Sequence, residues 1–329
     1  MRRACYARTI GASNRTALEM IRWPGSRARG GEGEKPVILF YNDFFGGPPT
    51  IPSSPCIGDC EFTTDRRDLP KAAAVIFHIP NRRPRMPVFK RRGQLWVAWS
   101  MESEVNYPRL ADPAFMRRFD LTMTYKRSSD IWCPYLPPAA EFAQAISGPV
   151  PAKTADAPVV MFQSAKIDQS GRNAYAQELM EHIGVHSYGR VLNNRQLPAE
   201  DLGNVTKQAM IGAYKFCIGF ENSIDVDYVT EKFFQPLLAG SVPVYLGAPN
   251  VADFAPGDHA YIDTSDFTGP RELAEYLVSL DRDDEAYARY FDWRKRGLSA
   301  EFEKLLSASS EEPFCRLCKI VAAHVAAMA

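Results

Sequence analysis

Apolar residues along this chain come in short runs, separated by polar turns and by longer segments with helical spacing. Runs at 37–41, 74–79, 95–99 and 121–125, rich in β-branched and aromatic residues, read as strands. The first leads into Asn-Asp and then Gly46-Gly47-Pro48-Pro49, a turn sequence. The stretch 147–158, SGPVPAKTADAP, has the Pro, Ala and small polar residues of an interdomain linker. Beyond it the pattern starts afresh, with strands expected at 158–162, near 186–188, at 216–220, 242–246 and 259–262. Helices are expected at 173–182, 271–280, 284–306 and 312–327. Strands alternating with helices in each half predict an α/β fold of two doubly wound, Rossmann-like domains, at 35–150 and 151–329. The last helix is free in this reading to pack back on the first domain.

The segment 220–232, FENSIDVDYVTEK, is the most informative. It follows a strand and is expected to open a helix capped by Asp227, with Tyr228, Glu231 and Lys232 sharing one face of the first turn. Unpaired amides at a helix N-terminus suit phosphate oxygens. Lys232 adds a full charge, Glu231 can accept hydrogen bonds from sugar hydroxyls, and Tyr228 offers a ring face and a hydroxyl. These groups converge beyond the carboxyl end of a strand, where open α/β sheets bind ligands. The combination suggests a nucleotide-sugar diphosphate. Pro236, inside the same helix, is expected to kink or tighten it.

Composition narrows the picture. With 329 residues, 46% hydrophobic and 24% charged, the chain is ordinary globular protein with room for two domains. Zero net charge gives no whole-chain case for nucleic acid or an anionic membrane as partner. Residues 1–34 are arginine-rich, Glu19 being the only acid before Glu32, and read as a disordered leader rather than a transit-like extension. No apolar run is long enough to span a bilayer. The seven cysteines are an odd number, so at least one stays unpaired in any intramolecular disulfide scheme. Cys315 and Cys318 could be a disulfide or two buried thiols; with Cys56 and Cys60 they could in principle hold zinc, although the two pairs lie far apart in sequence.

Several segments resemble, in order, the α1,3-fucosyltransferase family, the Lewis-type enzymes that use GDP-L-fucose. They are CEFTTDRRDLPKAAAVIFHIP at 60–80, WSMES at 99–103, FDLTMTYKRSSDIWCP at 119–134, the FENSIDVDYVTEK segment and Trp293–Lys295. The closing FCRLC at 314–318 resembles that family's C-terminal cysteine pair, which implies a Cys315–Cys318 disulfide. The resemblance implies a GT-B architecture, two Rossmann-like domains facing across a cleft, with the acceptor on the first and the donor on the second. It implies inverting transfer of fucose from GDP-β-L-fucose to O3 of a GlcNAc residue, in a lactosamine-type or chitobiose-core acceptor. Alternatives are another GDP- or UDP-sugar on the same scaffold, or a silent nucleotide- or glycan-binding protein. Eukaryotic members carry a membrane anchor, so its absence here points to a soluble, bacterial, cytoplasmic enzyme, with peripheral membrane association left open.

Inversion needs one general base and a stabilised leaving diphosphate. Glu102, beyond the strand at 95–99, matches the family's glutamate, although Glu104 replaces the proline expected two positions on. Two carboxylates on one face of an extended chain would raise one pKa. Lys232 and Arg172, the latter opening the second domain's first helix, are expected to grip the pyrophosphate. Asn222 is expected within reach of the donor, and the resemblance implies that Tyr188 approaches the guanine. Tyr125, Lys126 and Arg127 could touch the acceptor or merely bridge the domains. Asp225-Val226-Asp227 mimics a metal-binding DxD signature, but Asp227 has the competing role of helix cap. The resemblance implies a metal-independent enzyme, and no metal or cofactor is expected. The basic stretch 81–92 reads as a solvated loop, and His78 as a core histidine.

Overall fold

The computed structural model describes residues 35–53, 58–81, 86–87 and 89–328. The leader at 1–34, Cys56, and much of the basic stretch, 82–85 and 88, lie outside the described residues.

The first half builds strands β1 (Val37–Phe40), β2 (Glu61–Thr63), β3 (Ala74–His78), β4 (Leu95–Ser100), β5 (Leu121–Thr124) and β6 (Ile131–Trp132), with a short helix α1 (Pro113–Met116). They form one parallel sheet in the order β2-β1-β3-β4-β5-β6. Side chains alternate across it, as a pleated strand requires. Ile38, Phe40, Ala74, Ile76, Leu95 and Val97 face one layer, while Val37, Leu39, Val75, Phe77, Trp96 and Ala98 face the other.

Helix α2 (Ala139–Ser147) ends this half. The second continues with β7 (Val159–Met161), α3 (Arg172–His182), β8 (Val185–Ser187), α4 (Asn204–Gly212), β9 (Phe216–Phe220), α5 (Glu231–Ala239), β10 (Val242–Leu246), β11 (Ile262–Asp263) and α6 (Pro270–Arg282). Its parallel sheet runs β11-β10-β9-β7-β8, so the chain reverses direction between β7 and β9. That reversal is the switch point where such sheets open a crevice at their carboxyl edge. Leu273 and Leu277 of α6 and Ala176 and Leu179 of α3 bury one face of the sheet.

Helices α7 (Asp284–Ala288), α8 (Asp292–Arg296), α9 (Ala300–Ser309) and α10 (Pro313–Ala326) close the chain. Leu317, Cys318 and Val321 of α10 cover the first sheet, beside Ile38, Ile76 and Val97. Cys318 is disulfide-bonded to Cys60, whose sulfur is 1.99 Å away. The expected Cys315–Cys318 pairing is therefore wrong, since the two lie one helical turn apart and Cys318 faces β2. Cys315 is itself disulfide-bonded, which also removes the paired-thiol and zinc readings, and Cys133 and Cys217 are free and buried.

Two expectations about the donor loop also change. Helix α5 begins at Glu231, not near Asp227, and Thr230 caps it, its hydroxyl accepting from the Lys232 amide. Asp227 has φ of 66°, a left-handed conformation, and Tyr228 lies in the loop before the helix. The helix continues through Pro236. The strand expected at 259–262 starts only at Ile262, and His259, its expected first residue, is also left-handed. Short β2, β6, α2 and α4 escaped the sequence pattern.

Candidate active site

The seam between the two sheets is built where β4 and β5 of the first and β9 of the second end. At the end of β4, Ser100 folds the chain back on itself, its hydroxyl donating to the Glu102 carbonyl and accepting from the Glu102 amide. That turn presents the Glu102 carboxylate to the other half, where Tyr228 Oη donates to its Oε2 at 3.4 Å. Burial raises the Glu102 pKa and the charge of Glu231 adds to the rise; Lys232 and the Tyr228 hydroxyl oppose it.

On the donor side the fully buried Glu221 organises the loop. It accepts from the Thr230 amide at 2.7 Å and the Thr230 hydroxyl at 2.9 Å, and pairs with Lys232 Nζ at 3.3 Å. Lys232 also meets Glu231 Oε1 at 3.0 Å and the Thr230 hydroxyl at 2.8 Å. Burial works against the lysine's charge, but the two glutamates outweigh it and hold its pKa above the usual value. Gly219 allows this packing: a Cβ there would lie 2.7 Å from the Lys232 carbonyl. Pro236 removes the helical amide that would otherwise have bonded that carbonyl.

The other expected site residues divide into three groups. Tyr228 is 2% exposed, its ring met edge-on by Tyr125 and Tyr135 at 5.0 and 6.2 Å, so it offers no face to a base; only its hydroxyl reaches the site. Arg172 departs further from expectation. It has no exposed surface, and it spends Nη1 and Nη2 on the carbonyls of Phe220, Ala165 and Ile167 at 2.9, 3.2 and 3.0 Å. It binds the loops after β7 and β9 together instead of presenting a free fork, although its Nε has no partner. Tyr188 stands at the end of β8, stacked on Phe162, its hydroxyl 3.0 Å from that of Tyr214.

The third group joins the halves. Tyr125 donates to Asp225, Lys126 pairs with Glu104 and lies 3.7 Å from Asp225, and Arg127 donates to Asp227 through its amide at 3.0 Å and Nε at 2.8 Å. Asn250 also donates to Asp227, at 2.9 Å. Tyr125, Lys126 and Arg127 do bridge the domains, while the Glu104 carboxylate pairs with Lys126 within the first half. Asn222 joins this seam too, accepting from Asn106 at 2.8 Å, beside a Ser103–Ser223 hydroxyl pair 2.5 Å apart. Both carboxylates of the DxD-like sequence are thus engaged by protein donors. Sequence reasoning did not single out the bridging residues Asn106, Ser103 and Ser223, although the two serines lie within the quoted motifs, because each finds its partner in the other half.

The two-sheet GT-B fold brings a carboxylate of one sheet within the electrostatic reach of a lysine at a helix start on the other. The chain belongs to the fucosyltransferase family: the profile described as glycosyltransferase family 10 (fucosyltransferase) C-term matches residues 151–328, and that described as fucosyltransferase, N-terminal, matches 33–136. Curated relatives include GDP-fucose protein O-fucosyltransferase 3 of dog, 33% identical over 84% of this chain and 60% of its own length. The chicken and human proteins of that name are 36% and 34% identical, over 69% of this chain and 50% of their length. The chain therefore spans half to three-fifths of these relatives, which are vertebrate and lend the bacterial expectation no support. A solved α1,3-fucosyltransferase shares the fold with a TM-score of 0.52 at 14% identity, covering 89% of this chain and 93% of its own. Among the described residues, no helix is long and apolar enough to cross a membrane.

Proposed function

We propose that this chain transfers L-fucose from GDP-β-L-fucose to an acceptor hydroxyl with inversion, without a metal ion. Glu102 is the base. It takes the proton of the acceptor hydroxyl as that oxygen bonds to C1 of fucose and the bond from C1 to the β-phosphate oxygen breaks. Lys232 neutralises the charge gathering on the departing GDP, and Glu231 serves the donor's hydroxyls. Arg172 is a positioning residue, fixing the loops on either side of the β7/β9 crevice. The carrying observation is the contact of Tyr228 with Glu102, which brings a half-buried carboxylate from one sheet to the loop that leads into Lys232. Engagement of Asp225 and Asp227 by Tyr125, Lys126, Arg127 and Asn250 supports metal independence.

Two acceptors fit this chemistry. The motif resemblance favours O3 of a GlcNAc residue. The names of relatives at 33–36% identity favour a protein hydroxyl instead. The Cys60–Cys318 cystine suits an oxidising compartment better than the cytoplasm expected from sequence. Transfer from GDP-fucose to lactosamine, chitobiose and folded-protein acceptors, with and without chelator, tests the proposal once the product linkage is determined. Transfer from GDP-fucose that survives chelation supports it. Transfer only from another nucleotide sugar, or only with added divalent metal, overturns it.

A further inference from the structure

Lys207 has no part in the roles above, and the sequence pattern did not single it out. It lies on α4, the helix that packs beside α5. Its ammonium stands over the ring of Phe162, 5.6 Å from the centroid, and Phe162 is stacked on Tyr188 at 5.4 Å. Lys207 is thus held where β7 and β8 end, on the carboxyl edge that forms the crevice. Among the described residues its ammonium makes no hydrogen bond or ion pair. The charges that reach it are those of Glu231 and Lys232 on α5, with the buried thiol of Cys217 on β9.

A half-buried ammonium without a counter-ion is costly, and burial accordingly draws the Lys207 pKa below the usual lysine value. Lys232 differs, being already matched by Glu221 and Glu231. Around the start of α5, the carboxylates Glu102, Glu221, Glu231 and Asp168 act on Lys232 or Arg172, whereas Glu231 is the only one of them that reaches Lys207. An arriving anion would find its uncommitted partner in Lys207.

We infer that Lys207 is a second lysine for the donor's diphosphate, reaching it from α4 while Lys232 reaches it from α5. The inference rests on the donor reading above and assigns that site a residue outside the 220–232 segment. Phe162 keeps the lysine stem in place, and the ammonium needs only to turn from the ring face toward the phosphates.

Calorimetric titration of GDP and of guanosine into the full chain, as wild type, Lys207→Met and Lys207→Arg, tests it. Methionine keeps the stem on Phe162 and removes only the charge. The expected result is GDP affinity weakened about tenfold or more in Lys207→Met, in the range of a charged hydrogen bond, with guanosine unchanged and arginine restoring most of the loss. Unchanged GDP affinity overturns the inference, as does equal weakening for GDP and guanosine, which would mark a base-recognition or purely structural role. A wild-type chain that fails to bind GDP would remove the donor reading itself, and this inference with it.

Discussion

The hydroxyl of Tyr228, in the loop before α5, donates to Oε2 of Glu102 across the seam between the two sheets, at 3.4 Å. One residue of the donor loop thereby steadies the carboxylate of the opposite domain. Tyr228 cannot serve as an anion itself, because burial holds its own pKa far above the ordinary phenol value. It acts as a neutral donor, favouring the ionised form of Glu102 against the burial that raises its pKa.

Tyr228→Phe removes that donor and lets the Glu102 pKa rise further. A base works ionised, so activity climbs as pH rises through its pKa. The acid limb of kcat/KM should therefore move to higher pH in the variant, while the alkaline limb stays in place. A pH profile of both enzymes measures this, and an acid limb that does not move would contradict the coupling.

Gly219→Ala places a Cβ 2.7 Å from the Lys232 carbonyl, a backbone atom that cannot turn aside. Helix α5 must shift outward on β9, taking Lys232 with it. The expected cost is about 1–3 kcal/mol of stability, as for other overpacked cores, with a KM for GDP-fucose raised severalfold. Thermal unfolding and donor titration check it. A variant with unchanged melting and unchanged donor KM would show that α5 has room to spare.

Cys60 and Cys318 tie the edge of the first sheet to the last helix, 258 residues apart in sequence. Their replacement by serine is expected to lower stability by about 2–5 kcal/mol, chiefly through a less restricted unfolded chain. Helix α10 should loosen from the first sheet while GDP binding on the second sheet persists. Melting curves with and without reductant, together with GDP titration, measure both effects. Equal melting temperatures in the two conditions would count against the bond's structural role.

Much of this architecture was legible in the chain, for physical reasons. Strands such as 74–78 and 95–100 are buried on both faces of a parallel sheet, so they read as unbroken apolar runs. That Glu102 and Lys232 lie near the seam could be read because each follows such a run at its carboxyl end. The failures have causes as specific. Asp227 looks like a helix cap in sequence, but its carboxylate is taken by Arg127 from another domain and its backbone is left-handed. Arg172 looks free at a helix start, yet three loop carbonyls are left for it when β7 and β9 are neighbours. Cys318 pairs across the fold with Cys60, not with the cysteine one turn away, because only the tertiary packing of α10 brings its partner near. Each miss involves at least one contact made at long range, which local periodicity does not carry.

In the proposed mechanism Glu102 removes the acceptor's proton. Glu102→Gln keeps the shape and the Tyr228 contact but abolishes the base, so single-turnover transfer from GDP-fucose, measured beside GDP affinity, tests it most directly. The rate should fall by about 10²–10⁴-fold with GDP binding intact. A variant that transfers fucose at the wild-type rate would contradict it.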